Sequence, residues 1–141
     1  MLALLQFQRE SFVRKLEGVV DAEARRSPVA SGTSLLWLAR HLARAETVWV
    51  RIRFAGEDLP IPDDSVAEGD TIAAAVDAYR ATWRAVDAIV ASEPSLDAPC
   101  SDGFEPPVNL RWVLMHLLEE TARHAGHADI LRELIDGDTG R

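Results

Sequence analysis

Apolar residues recur at steps of three and four in four stretches of this chain, and long polar connections separate the stretches. Residues 2–20 carry Leu2, Leu5, Phe12, Leu16 and Val19 on one side, the mark of an amphipathic helix. Pro28 and Gly32 make residues 21–33 a loop, after which Thr33 or Ser34 caps a second helix reaching about Phe54. Its stripe reads Ser34, Leu38, His41, Ala45, Val48 and Ile52. Residues 55–70 hold acids and prolines but no base, as a surface crossover loop would. A third helix then runs from Asp70 or Thr71 to about residue 91, with Ile72, Val76, Tyr79, Trp83, Val86 and Val90 as a packing wall. Residues 92–108 form a second long loop.

The last stretch, residues 109–135, organises the rest. Pro106 and Pro107 stop any helix upstream, Asn109 is a good N-cap, and Val108 and Val113 occupy the two positions of a hydrophobic staple. Gly137 and Gly140 mark the end. Its seam is Leu110, Val113, Leu117, Glu120, His124, His127, Leu131 and Leu134: aliphatic at both ends, polar in the middle. Strand patterns and internal repeats are lacking, so the expected fold is all-α, a four-helix bundle with long crossover loops.

Length and composition narrow the class. A chain of 141 residues, 48% hydrophobic and 27% charged, is expected to form one domain over residues 1–141. Its net charge of −8 argues against nucleic acid or an anionic membrane as partner. No apolar run approaches a membrane span and no signal-peptide pattern opens the chain, so a cytoplasmic location is expected. Cys100, alone and without a basic neighbour in sequence, reads as a passive thiol.

A buried carboxylate and two imidazoles cost several kcal/mol unless something satisfies them. A divalent metal is the simplest partner. Glu120 and His124, four apart, point the same way, and His41 offers a third ligand from the second helix. His127 stands as an outer partner or as a substitute for Glu120, because about 10 Å of helix makes joint ligation by Glu120 and His127 awkward. Three N/O ligands with an open position form a catalytic pattern, for which zinc is the first choice and nickel or iron the alternatives. His116 falls one position off the seam, as a flank or rim group. Arg40 and Arg123, each beside a ligand, could orient acidic groups, although surface solvation suits them better; Trp37, Trp49 and Trp112 suit packing or the pocket mouth.

The segments GTSLLWLARHLARAE and NLRWVLMHLLEETARHAGHADILRELIDGDTGR resemble the DinB-like superfamily. Within it the likeness is to the group related to the N-terminal metal domain of mycothiol-dependent maleylpyruvate isomerase. It covers nearly the whole chain. The resemblance implies a four-helix bundle, often a homodimer, with one metal held by a helix-two histidine and a spaced pair on the last helix. His41 matches the first position, and Glu120 and His124 match the pair. It further implies a metal-dependent thiol transferase that uses a low-molecular-weight thiol such as mycothiol on small electrophiles, by S-conjugation or thiol-dependent isomerisation. A non-catalytic, metal-binding stress-response dimer is the competing expectation.

Overall fold

The computed structural model describes residues 1–101 and 107–139, and its elements follow from the apolar pattern with a few informative departures. Helix α1 spans Leu2–Arg14, α2 Asp21–Arg25, α3 Leu35–Glu46, α4 Ile72–Ser92 and α5 Leu110–Asp136. Helix α3 continues without a break into a π-helical turn, Thr47–Phe54. Four long helices pack as the expected all-α bundle, and the short α2 is an addition. The expectations for Pro106 and Gly140 concern positions outside the described residues.

Helix ends obey local chemistry. Ser34, Thr71 and Asn109 each accept a hydrogen bond from the backbone N–H three residues on, satisfying one donor the helix itself cannot. Of the two cap candidates for α3, Ser34 is therefore the one used. Gly137, at φ 77°, closes α5 in the left-handed conformation that costs glycine nothing.

The first helix ends sooner than its stripe suggests. After Arg14 the chain tightens into turns, and Gly18 at φ 78° redirects it. The expected loop 21–33 begins as α2, with Asp21 and Glu23 at the N-terminal, dipole-positive end. Asp21 also accepts the backbone N–H of Ile72, tying α2 to the start of α4.

Pairing across the bundle fixes helix directions. Leu5 clusters with Leu114 and Leu117, while Lys15 pairs with Asp129, so α1 and α5 run parallel. His41 faces Glu120 and Trp49 faces His116, so α3 is antiparallel to α5. Helices α3 and α4 run the same way, which explains the long return loop of residues 55–71. Among the described residues, two apolar clusters fill the interior, one around Phe12, Leu38 and Tyr79, the other around Val50, Val86 and Leu114.

Between those clusters along the sequence of each helix lies a buried ion pair. Arg9 donates from Nε and Nη2 to the two carboxylate oxygens of Glu46 at 2.8 and 2.6 Å, and from Nη1 to Asp87 at 2.9 Å. Arg9 and Glu46 side chains are each 1% exposed. Burial alone pulls the Arg9 guanidinium down, but the Glu46 and Asp87 carboxylates override it and hold its pKa above the ordinary value.

Two seams depart from their expected registers. Val48 and Ile52 are only partly buried, and Val50 and Phe54 take their places in the core. The wider π turn, in which Ala55 N–H reaches Val50 C=O at 2.9 Å, rotates the apolar face. On α5, His127 and Leu134 are exposed, whereas Thr121, Ala125, Ala128 and Arg132 are buried. A straight helix drifts about 20° per heptad against a 3.5-residue repeat, enough to carry the far end of the stripe out of the interface. Leu2, the first residue of α1, is 38% exposed.

Candidate metal centre

Helices α3 and α5 bring His41, Glu120 and His124 together, each offering one ligand atom within 4.8 Å of the others. His41 Nε2 and His124 Nε2 each stand 3.1 Å from Glu120 Oε1. An ion bonded tetrahedrally at about 2.1 Å separates its ligand atoms by about 3.4 Å. The two 3.1 Å separations from Glu120 Oε1 come close to that spacing, and the N₂O donor set suits zinc-like ions. The side chains are 11–19% exposed, at the edge of the core rather than deep within it. The cluster is thus partly open to solvent.

Each imidazole has an orienting partner on its other nitrogen. His41 Nδ1 lies 3.0 Å from Asp64 Oδ2; when Nδ1–H donates to that carboxylate, Nε2 is left to bind an ion in place of its hydrogen bond to Glu120. His124 Nδ1 lies 3.1 Å from His127 Nδ1. When His124 donates in that bond, its Nε2 too is left to bind. Trp37 stacks on His41, centroids 4.6 Å apart and planes 18° from parallel, which blocks ring rotation.

Electrostatics favour a binding-competent state. Burial pushes the Glu120 carboxyl up, but the His41 hydrogen bond and the neighbouring His124 outweigh it and hold it below the usual carboxylate range. Burial is also the main force on His124; together with His41 and His127 it lowers the imidazole pKa despite the opposing pull of Glu120. A lowered imidazole pKa means the folded chain binds fewer protons than the unfolded one. Stability of the chelated protein should accordingly fall as pH drops from the ordinary imidazole value toward the folded one. An NMR titration of the His124 ring in chelator should give a midpoint below the ordinary 6.5; a midpoint at or above it contradicts this environment.

The other sequence candidates separate clearly. Arg40 donates to Asp70 and to the Asp63 carbonyl, and Arg123 pairs with Glu119 and Glu120, so both are engaged by the protein itself. His116 stacks on Trp112 and meets Trp49 edge-on, in a separate group one turn from Glu120. Cys100 is half-buried in the loop leading to α5, its backbone N–H bonded to Val108 C=O. Asp64 was not legible. It is 23 residues from His41, in an acid-rich loop where no spacing rule distinguishes it from Asp63 or Asp58.

A four-helix bundle in which two imidazoles and a carboxylate converge defines a class of helical-bundle proteins with a cluster able to hold an ion. The sequence profile of the family described as Mycothiol-S-transferase matches residues 1–137, and the chain belongs to that family. This upholds the DinB-like resemblance and carries a mycothiol-related transferase role in general terms. Among solved structures the chain is similar to a conserved protein from Enterococcus faecalis, with a TM-score of 0.71 at 21% identity over 96% of this chain and 95% of that one. That likeness speaks to the fold alone. No curated protein matches the chain. Among the described residues, no helix is long and apolar enough to cross a membrane.

Proposed function

We propose that this protein joins a low-molecular-weight thiol, mycothiol, to small electrophiles, with a divalent ion held by His41, Glu120 and His124. The observation that carries the reading is the convergence of those three ligand atoms, each imidazole with a hydrogen-bond partner behind it. Zinc is the first expectation for the donor set, with nickel or iron as alternatives. When bound, such an ion supplies the positive charge that lowers a thiol pKa from about 8.5 toward neutrality.

The chain's own residues do the rest. Asp64 and Trp37 fix the His41 ring, and His127 orients His124. Glu120 contributes the negative charge that moderates the site, with Oε2 steadied by Arg123 at 3.3 Å. In the overall step the thiol yields its proton to solvent and its sulfur forms the new C–S bond. The leaving group departs with the bonding pair; for an activated double bond, the proton is instead regained at carbon. The cluster is partly exposed, which leaves it open to reactants from solvent.

Zinc-loaded protein should accelerate conjugation of mycothiol to a monobromobimane-type reagent, and a chelator should abolish the acceleration. A rate equal to the protein-free control with zinc, nickel and iron each tested would remove the proposal.

A further inference from the structure

The surface along α3 and α5 on either side of the His41, Glu120 and His124 cluster differs in chemistry. Toward the start of α3 it opens on a cavity of about 290 Å³ lined mainly by Val29, Ile130 and Leu131, with Ser31, Thr33 and His127 at its polar side. Toward the start of α5 it carries a stacked group. Trp112 and His116 lie 5.2 Å apart with planes 14° from parallel, and Trp49 meets them at 5.3 and 4.6 Å. The Arg53 guanidinium covers Trp49 at 4.1 Å. Trp112 is 44% exposed, so part of its indole is open to a ligand.

We infer that the Trp112–His116–Trp49 stack is the platform for the sugar end of the thiol, an inference that rests on the transferase reading above. Mycothiol carries its cysteine on an amino sugar joined to a cyclitol, so the thiol ends in two polyol rings with apolar C–H faces. C–H groups carry partial positive charge and pack on the negative face of an indole, while ring hydroxyls remain available to solvent and to polar neighbours. Reach also fits. From the cysteine sulfur to the amino sugar is five bonds, roughly 6 Å by standard bond lengths. His116 is one helical turn, about 6 Å, from Glu120, and Trp112 is about 12 Å away, near where the second ring would lie. The opposite end has hydrogen-bonding groups in Ser31, Thr33 and His127 over an aliphatic floor, but no indole face to pack against a sugar ring.

Calorimetric titration of the zinc-loaded protein with S-methyl mycothiol tests this without requiring turnover. The capped thiol keeps both rings but cannot ionise at sulfur. Trp112→Ala should weaken its binding about fivefold to tenfold. Trp112→Phe, which keeps an aromatic face, should recover part of that loss. Ile130→Asp, at the other end, should leave the affinity unchanged. Equal affinity in wild type and Trp112→Ala overturns the assignment, as does a loss confined to Ile130→Asp. Circular dichroism of each variant identifies any that fails to fold, and Trp112→Phe then decides. Binding that depends on Trp112 in a protein without conjugating activity would sustain this inference while removing the transferase reading. Conjugation with unaltered affinity in the tryptophan variants would do the reverse.

Discussion

His124→Ala is expected to empty the ion cluster and to lower mycothiol conjugation by more than about 100-fold. The scale follows from rank: losing an outer partner of a metal ligand costs 10- to 100-fold, and losing the ligand itself must cost more. His124 is the most buried of the three groups and sits at the centre of the network, bonded to Glu120 on one nitrogen and His127 on the other. His41→Ala should act alike. Asp64→Ala should be milder, weakening ion affinity about 10- to 100-fold while saturating ion restores the rate, because Asp64 acts only through the His41 ring. Rates measured across an ion titration for the three variants check this order. Full activity in His124→Ala, or an Asp64→Ala defect that excess ion does not relieve, would overturn the geometry given to the site.

The second large effect is on stability. Arg9→Met should destabilise the protein by about 3–5 kcal/mol, because it leaves the Glu46 carboxylate buried without its bidentate partner. Thermal melts should show Tm falling by at least about 10 °C, given a few degrees per kcal/mol for a chain of this size. Arg9→Met combined with Glu46→Leu should recover most of the loss, since neither charge is then stranded. The ion cluster should be intact in both, so this pair separates folding from chemistry. A single variant as stable as the wild type would mean that the pair contributes nothing beyond filling space.

Arg9 also shows where the sequence becomes hard to read. It occupies the position between Leu5 and Phe12 on the buried side of α1, so periodicity points inward there, but an arginine ordinarily reads as surface. Only its partner Glu46, 37 residues away, resolves the conflict. The later three long helices were legible because each combines an apolar stripe with a cap residue, whereas α1 had only its stripe and its end was misplaced. The stripe of α4 was legible from Val76 on, with Val76, Tyr79, Trp83, Val86 and Val90 all buried, while Ile72 at its start is only partly buried. Registers were less so: the π turn after Glu46 displaced Val48 and Ile52, and helical drift turned His127 and Leu134 outward.

The convergence of His41 on Glu120 and His124 was legible for a simple reason. All three fall near the middle of their helices, where neither drift nor the π turn has accumulated enough to change the face. Asp64 and the stacking of Trp37 on His41 needed the path of a loop and a rotamer, which spacing does not encode.

Whether this cluster holds an ion is decided most directly by elemental analysis of the untagged protein alongside its Glu120→Ala and His127→Ala variants. One zinc, nickel or iron per chain is expected in the wild type, retained in His127→Ala and lost in Glu120→Ala. Wild-type protein without stoichiometric ion even after loading, or ion that leaves with His127 and stays without Glu120, would contradict it.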